Sequence, residues 1–281
     1  MKNFFLSLFL AAMFFVGGVA GALGSEKPAE RIVSLGPVIT EELYLLSSGD
    51  KLVGCTTWCR RPVAARSKAK VGNVQEINVE QVVALKPDIV LATVLTDPKA
   101  VAQLRAVGIR VVEVPNAKDF EGICQVFLTL GEITGKEEEA RRIVDEARQK
   151  IKVLKQKLSG VPAVKVFVQV GANPLVTIGQ ESFVNDLIGS AGGVNIVKAS
   201  GYVQYSREQV LLSDPDVMLI SNMGFDGAKE KDSWRKFLSL KAVAANRIFI
   251  VDEYLLCSPT PVSFVETLSM VIHYLHPKAG I

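Results

Sequence analysis

Two acidic residues hold the same place in a stretch that the chain carries twice. Residues 78–91 read NVEQVVALKPDIVL and residues 206–219 read SREQVLLSDPDVML. Glu80 and Glu208, Gln81 and Gln209, Val82 and Val210, Pro87 and Pro215, and Asp88 and Asp216 fall at the same offsets. Asn78 and Ser206 read as helix N-caps, each with a Gln at the N3 position of a capping box. A carboxylate at N2 suits the positive end of a helix, by roughly 0.3–1 kcal/mol. That local role is one reading of the glutamates. The other is a matched pair of exposed anions, one per repeat, meeting a basic partner. Acid–base hydrolysis is disfavoured, because equivalent positions on separate lobes lie far beyond the roughly 5–10 Å such carboxylates need.

The remaining reactive side chains are few. Cys55 and Cys59 are close enough to pair as a disulfide if their loop bends back. A metal site made with Cys257 is the competing reading, and its spacing is that of no zinc motif. Cys124, inside FEGICQVFLTL, reads as a small buried hydrophobe. His273 and His276 read as a solvated helix end, and no metal site is expected. G-x-S-x-G, G-x-x-x-x-G-K-[ST] and H-E-x-x-H are all absent from the sequence. The expectation is a binding protein and not an enzyme. Lys+Arg 32 against Asp+Glu 29 gives no reason to expect nucleic acid or an anionic membrane as partner.

The elements that must hold these residues follow from periodicity. Short apolar strands at 31–35, 51–55, 88–92, 110–114, 165–170, 175–179, 195–197, 217–221 and 247–251 alternate with helical patterns. That alternation predicts βαβ units and mainly parallel sheets. A second internal match, residues 32–54 against 175–197, pairs Gly36 with Gly179 and Gly49 with Gly192. Two similar α/β lobes with a cleft between them are the expected fold.

Between the halves, residues 136–158 contain neither Gly nor Pro. Ala140, Ile143, Val144, Ala147, Ile151, Leu154 and Leu158 share one helical face. Such a rod spans roughly 35 Å at 1.5 Å per residue. A coiled-coil dimer seam is the competing use of that face, and a rod lying along both lobes of a monomer is the preferred one. At the start, Met1-Lys2, an apolar run from Phe4 to Val16 and the tract GGVAGAL read as a secretory signal cut near Ala20-Gly21-Ala22. An uncleaved anchor is the alternative, with an apolar core short for a span. No Cys stands near that site, so no lipid anchor is expected. The expected divisions are a signal peptide over 1–22, an N-terminal lobe over 23–135, a backbone helix over 136–159 and a C-terminal lobe over 160–281. Export places the four Cys in an oxidising compartment, the periplasm.

RIVSLGPVITEEL, the W-C-R-R-P segment at 58–62, NVEQVVALKPDIVLA, VFVQVGANPLVTIGQES and YSREQVLLSDPD together resemble the helical-backbone substrate-binding proteins of ABC importers. That group carries cobalamin, ferric siderophores and haem, and the likeness is strongest to the periplasmic cobalamin-binding proteins. The resemblance covers essentially all of 30–276. It implies two α/β lobes joined by one rigid helix, with no intrinsic cofactor. It also implies that Glu80 and Glu208 dock onto Arg residues of an ABC permease dimer. The implied ligand is a small-molecule metal chelate, a cobalt corrinoid first and a ferric siderophore or haem as the alternative. The cleft residues it implies are Trp58, Arg60, Arg61, Tyr202, Tyr205 and Tyr254, with Val74 and Pro259 beside them. Arg60, Arg61 or Arg207 would meet acidic side groups of the ligand. Val74 stands where relatives commonly have an aromatic, and Ala191 where some have a disulfide Cys.

Overall fold

The computed structural model describes residues 27–222 and 224–278, so the expected signal peptide lies outside the described residues. In the first half, β1 (Ile32–Ser34), α1 (Pro37–Leu45), β2 (Leu52–Cys55), β3 (Ala69–Lys70), α2 (Val79–Ala84), β4 (Ile89–Thr93), α3 (Pro98–Ala106), β5 (Arg110–Val114) and α4 (Phe120–Thr134) follow in turn. The sheet order is β3-β2-β1-β4-β5, and every pairing is parallel. Ile32, Val33, Ile89, Val90 and Leu91 are fully buried because helices cover both faces of the sheet.

The rod is α5 (Glu137–Lys157), about 30 Å long. Gly135, at φ 67, ends α4 in the left-handed region and lets α5 turn back along it. A Cβ on Gly131 would stand 2.6 Å from the Ala140 Cβ, so a glycine is what lets the two helices approach. Ala140, Ile143, Val144, Ala147 and Ile151 are buried in one core that takes residues from both lobes. On the charged face Arg142 bridges Glu139 and Glu146, and Arg148 reaches Glu121 of α4 at 2.6 Å.

The second half runs β6 (Val164–Gly171), β7 (Val176–Ile178), α6 (Phe183–Ser190), β8 (Gly193–Asn195), β9 (Tyr202–Gln204), α7 (Arg207–Ser213), β10 (Val217–Ser221), α8 (Gly227–Trp234), α9 (Lys241–Ala244), β11 (Ile248–Val251), α10 (Glu253–Cys257) and α11 (Pro261–Leu275). Its sheet is mixed, in the order β11-β10-β6-β7-β9 with β8 beside the start of β6. β7 runs antiparallel to both of its neighbours. Packing of α11 and α4 on α5 places the rod against both lobes.

The duplication is real, and its register differs from the second sequence match. Asp88 Oδ2 accepts from the Arg31 N–H at 2.9 Å, beside the start of β1. Asp216 Oδ2 accepts from the Lys165 N–H at 2.9 Å, beside the start of β6. β1 therefore corresponds to β6, whereas the 32–54 and 175–197 match sets β1 against β7. The extra hairpin strand β7 is what shifts it. Lys86 and Asp214, each just before the Pro-Asp pair, share positive φ values of 47 and 45.

Candidate ligand cleft and docking face

In a parallel sheet the loops that follow the strands gather at one edge, which is where α/β proteins place ligands. The loop after β2 carries Trp58, Cys59, Arg60 and Arg61, and α10 with its N-cap Asp252 follows β11. These segments meet between the lobes. Arg61 Nη2 lies 3.0 Å from Asp252 Oδ1, and its guanidinium stands 4.6 Å from the Tyr254 ring centre. The Tyr254 hydroxyl donates to the Trp58 carbonyl at 2.9 Å. Trp58, Arg61 and Tyr254 thus come together as an interlobe contact, and Asp252 is a member that the sequence reading missed. Arg60 lies over the Trp58 ring at 5.3 Å. Glu41 is a further missed neighbour: burial raises its carboxyl pKa, Arg61 opposes the shift, and Glu266 and Asp252 add to it.

Of the expected cleft aromatics, Trp58 of one lobe is 50% exposed and Tyr202 of the other 60%. Desolvation pushes the Tyr202 pKa up to about 12, with Cys257 adding. Val94 and Leu95, in the loop after β4, are also exposed apolar residues at the strand-end edge. Their signal in the sequence was two large hydrophobes inside a turn. Val74 sits in a turn closed by Asn73 and Glu76, and Pro259 is buried ahead of α11.

Two residues go elsewhere. Tyr205 turns its ring onto Phe167, 6.0 Å between centroids, within the C-terminal core. Arg207 points inward: it bonds Glu230 at 2.6 Å and covers the Trp234 ring at 4.4 Å. Glu230 and Trp234 each bond Gln169, which completes a polar network under the sheet. Arg207 is therefore not available to acidic groups on a ligand. A groove of about 920 Å³ beside the C-terminal half of α5, touching Asp119, Arg148 and Asp186, contains none of the cleft aromatics.

The cysteines do not assemble a metal site, and among the described residues no cluster of three or more His, Cys, Asp or Glu occurs. Cys55 and Cys59 are free thiols, so the expected disulfide is not formed in this structure. Cys257 pairs with the Ser221 hydroxyl instead. His276 is buried, with Nε2 3.1 Å from the Ala191 carbonyl oxygen, a correction to the solvated helix end expected from its position.

Glu80 and Glu208 occupy N2 of α2 and α7, both exposed. Among the described residues neither carboxylate takes part in an ion pair. Ser206 and Gln209 form a complete capping box. Asn78 caps α2, but its own N–H goes to the Val71 carbonyl, so the box is only half made. The Glu208 N–H and the Ser206 hydroxyl hold the Glu208 carboxyl below its ordinary pKa.

A periplasmic binding protein family model matches residues 32–255. The chain belongs to that family. It is 30% identical over 251 residues to a vitamin B12-binding protein of Vibrio cholerae, covering 88% of this chain and 90% of that one. The crystal structure of the periplasmic vitamin B12-binding protein of Vibrio cholerae superposes with a TM-score of 0.78 at 29% identity, over 90% of this chain and 99% of that one. A periplasmic heme-binding protein from Pseudomonas aeruginosa shares the fold, with a TM-score of 0.82 at 24% identity over 89% and 94% of the two chains. Among the described residues no helix is long and apolar enough to cross a membrane.

Proposed function

We propose that this protein captures a metal chelate, cobalamin first, between its lobes and delivers it to an ABC permease. The observation that carries the reading is the meeting of the two lobes' strand-end loops through Trp58, Arg61, Asp252 and Tyr254, with the Trp58 ring left exposed there. A site of apolar walls with a few polar groups is what a corrin requires, because its cobalt brings ring ligands of its own. The vitamin B12-binding relative of Vibrio cholerae supports the same ligand. Glu80 and Glu208 present one unpaired anion on each lobe for Arg residues of the permease, contributing orientation and on-rate more than affinity. The protein acts as an exported monomer, its segment 1–22 removed on the way out.

A ferric siderophore or haem is the second reading. A haem iron takes a protein ligand such as His, Cys, Met or Tyr. Tyr202 is the one expected cleft residue of that type left well exposed, and His276 is held against the Ala191 carbonyl.

Trp58 is the exposed one of the two tryptophans, and Trp234 is fully buried. Parallel fluorescence titrations with cyanocobalamin, haemin and ferric siderophores test the choice. Saturable quenching by cyanocobalamin, lost in Trp58→Phe, is expected. Saturation by haemin alone would move the ligand and keep the architecture.

A further inference from the structure

The loop under the cleft holds a chemical device that ligand capture does not use. Cys55 ends β2 and Cys59 follows four residues later, both with no solvent exposure. The Cys59 N–H bonds the Thr56 carbonyl at 3.1 Å, a turn that folds Cys59 back beside the end of β2, where Lys70 Nζ lies 3.2 Å from the Cys55 sulfur and 3.5 Å from the Cys59 carbonyl oxygen. Lys70 Nζ also stands 3.0 Å from the Ala65 carbonyl oxygen.

The two sulfurs have different surroundings. Cys59 Sγ lies 3.1 Å from Thr40 Oγ1 and 3.2 Å from Thr56 Oγ1. Thr40 Oγ1 is also 2.9 Å from Ser34 Oγ, whose own proton goes to the Gly36 carbonyl at 3.0 Å. The single Thr40 proton can therefore face Ser34 when Cys59 is a thiol, or turn to Cys59 when it is a thiolate. This hydroxyl cradle serves either form. The hydrogen bond from Cys55, with those of Thr40 and Thr56, lowers the Cys59 pKa, while the same pairing and burial raise that of Cys55. The hydroxyls of Thr40 and Thr56 thus surround one sulfur, and the Lys70 ammonium stands beside the other.

We propose that Cys55 and Cys59 form a redox modification site, in which Cys59 is the nucleophile toward hydrogen peroxide and Cys55 resolves the product to a disulfide. With both sulfurs enclosed, only a small oxidant can reach them, and exposure, which favours oxidation, is here supplied by opening of the loop. The Cys59 thiolate attacks one peroxide oxygen, the O–O bond breaks, and hydroxide leaves as Cys59 becomes a sulfenic acid. Cys55 then attacks the Cys59 sulfur, the S–O bond breaks, and the second hydroxide leaves. The two protons originally on the thiols convert both hydroxides to water. Two thiols and one peroxide thus yield one disulfide and two waters. Lys70 stabilises the Cys55 thiolate in the second step. The disulfide would tie down the loop that carries Trp58.

Trypsin cuts after Lys51 and Arg60, so a single peptide, Leu52–Arg60, contains both sulfurs. Reduced protein is treated with one equivalent of hydrogen peroxide, alkylated with iodoacetamide in denaturant and mapped by mass. The peptide is expected unalkylated and two hydrogens lighter, with Cys124 and Cys257 alkylated. In Cys55→Ser, dimedone should label Cys59, and in Cys59→Ser the remaining Cys55 should stay fully alkylatable. A doubly alkylated peptide from the treated parent protein would overturn the proposal, whatever the variants do. Equal oxidation of Cys55 in Cys59→Ser would overturn the assignment of the nucleophile.

Discussion

Arg61 of the N-terminal lobe and Asp252 of the C-terminal lobe are joined across the cleft at 3.0 Å, beside the bond from Tyr254 to the Trp58 carbonyl. Both charged side chains are about two-fifths exposed, at 38% and 44%, so solvent screens the pair. Such a pair contributes at most about 1 kcal/mol. Asp252→Asn should therefore lower unfolding stability by less than about 1 kcal/mol, and the difference should shrink in high salt. Urea unfolding at two salt concentrations checks both. A loss of several kcal/mol would mean that the lobes depend on this contact far more than its exposure allows.

The docking glutamates give a separable prediction. Glu80→Lys or Glu208→Lys should reduce uptake about tenfold, equivalent to about 1.4 kcal/mol of lost complementarity, and leave ligand affinity within about twofold. Uptake into permease-containing vesicles, measured beside a solution titration, tells them apart. A large change in ligand affinity with normal uptake would place these residues in the ligand site.

The Arg207 network is a stability feature next to Glu208. Glu230 is nearly buried and shares Arg207 and Gln169 as partners. Arg207→Met removes the cation and should cost on the order of 2 kcal/mol, below the usual range for a broken buried pair because Arg207 is partly exposed. Adding Glu230→Gln should recover much of that loss. Denaturant midpoints of the single and double variants measure the coupling.

Glu42, on α1, is fully enclosed, and its Oε2 has no protein hydrogen-bond partner among the described residues. Burial raises its carboxyl well above the ordinary 4.5, and Glu41 adds to the shift. The folded protein then holds a proton that the unfolded chain releases near pH 4.5. Its contribution is most favourable at acid pH and declines as pH rises through the raised value. Glu42→Gln should leave stability near that of the parent at pH 4 and exceed it at pH 8. Unfolding curves at the two pH values test the sign.

Much of this architecture was legible in the sequence, because it rests on local periodicity. The Gly- and Pro-free stretch gave the rod, and the repeated Pro-Asp pairs marked the start of β4 and β10. The positions that went astray depend on distant partners. Arg207 reads as a cation for acidic groups of a ligand until Glu230, 23 residues on, is seen beneath it. Tyr205 reads as a pocket wall until Phe167 takes its ring. α8 begins at Gly227 because Asp226 caps it, accepting from the Ala228 and Lys229 N–H groups, a start set by the turn and not by apolar periodicity. α10 is too short for periodicity to reveal, so Asp252 could not be placed on the cleft in advance.

Cobalamin capture is the central claim, and calorimetric titration of the exported protein with cyanocobalamin tests it most directly. The account predicts tight, saturable binding of one molecule per chain, weakened in Trp58→Ala and Tyr202→Ala. Absence of saturable heat with folded protein would contradict cobalamin as the ligand.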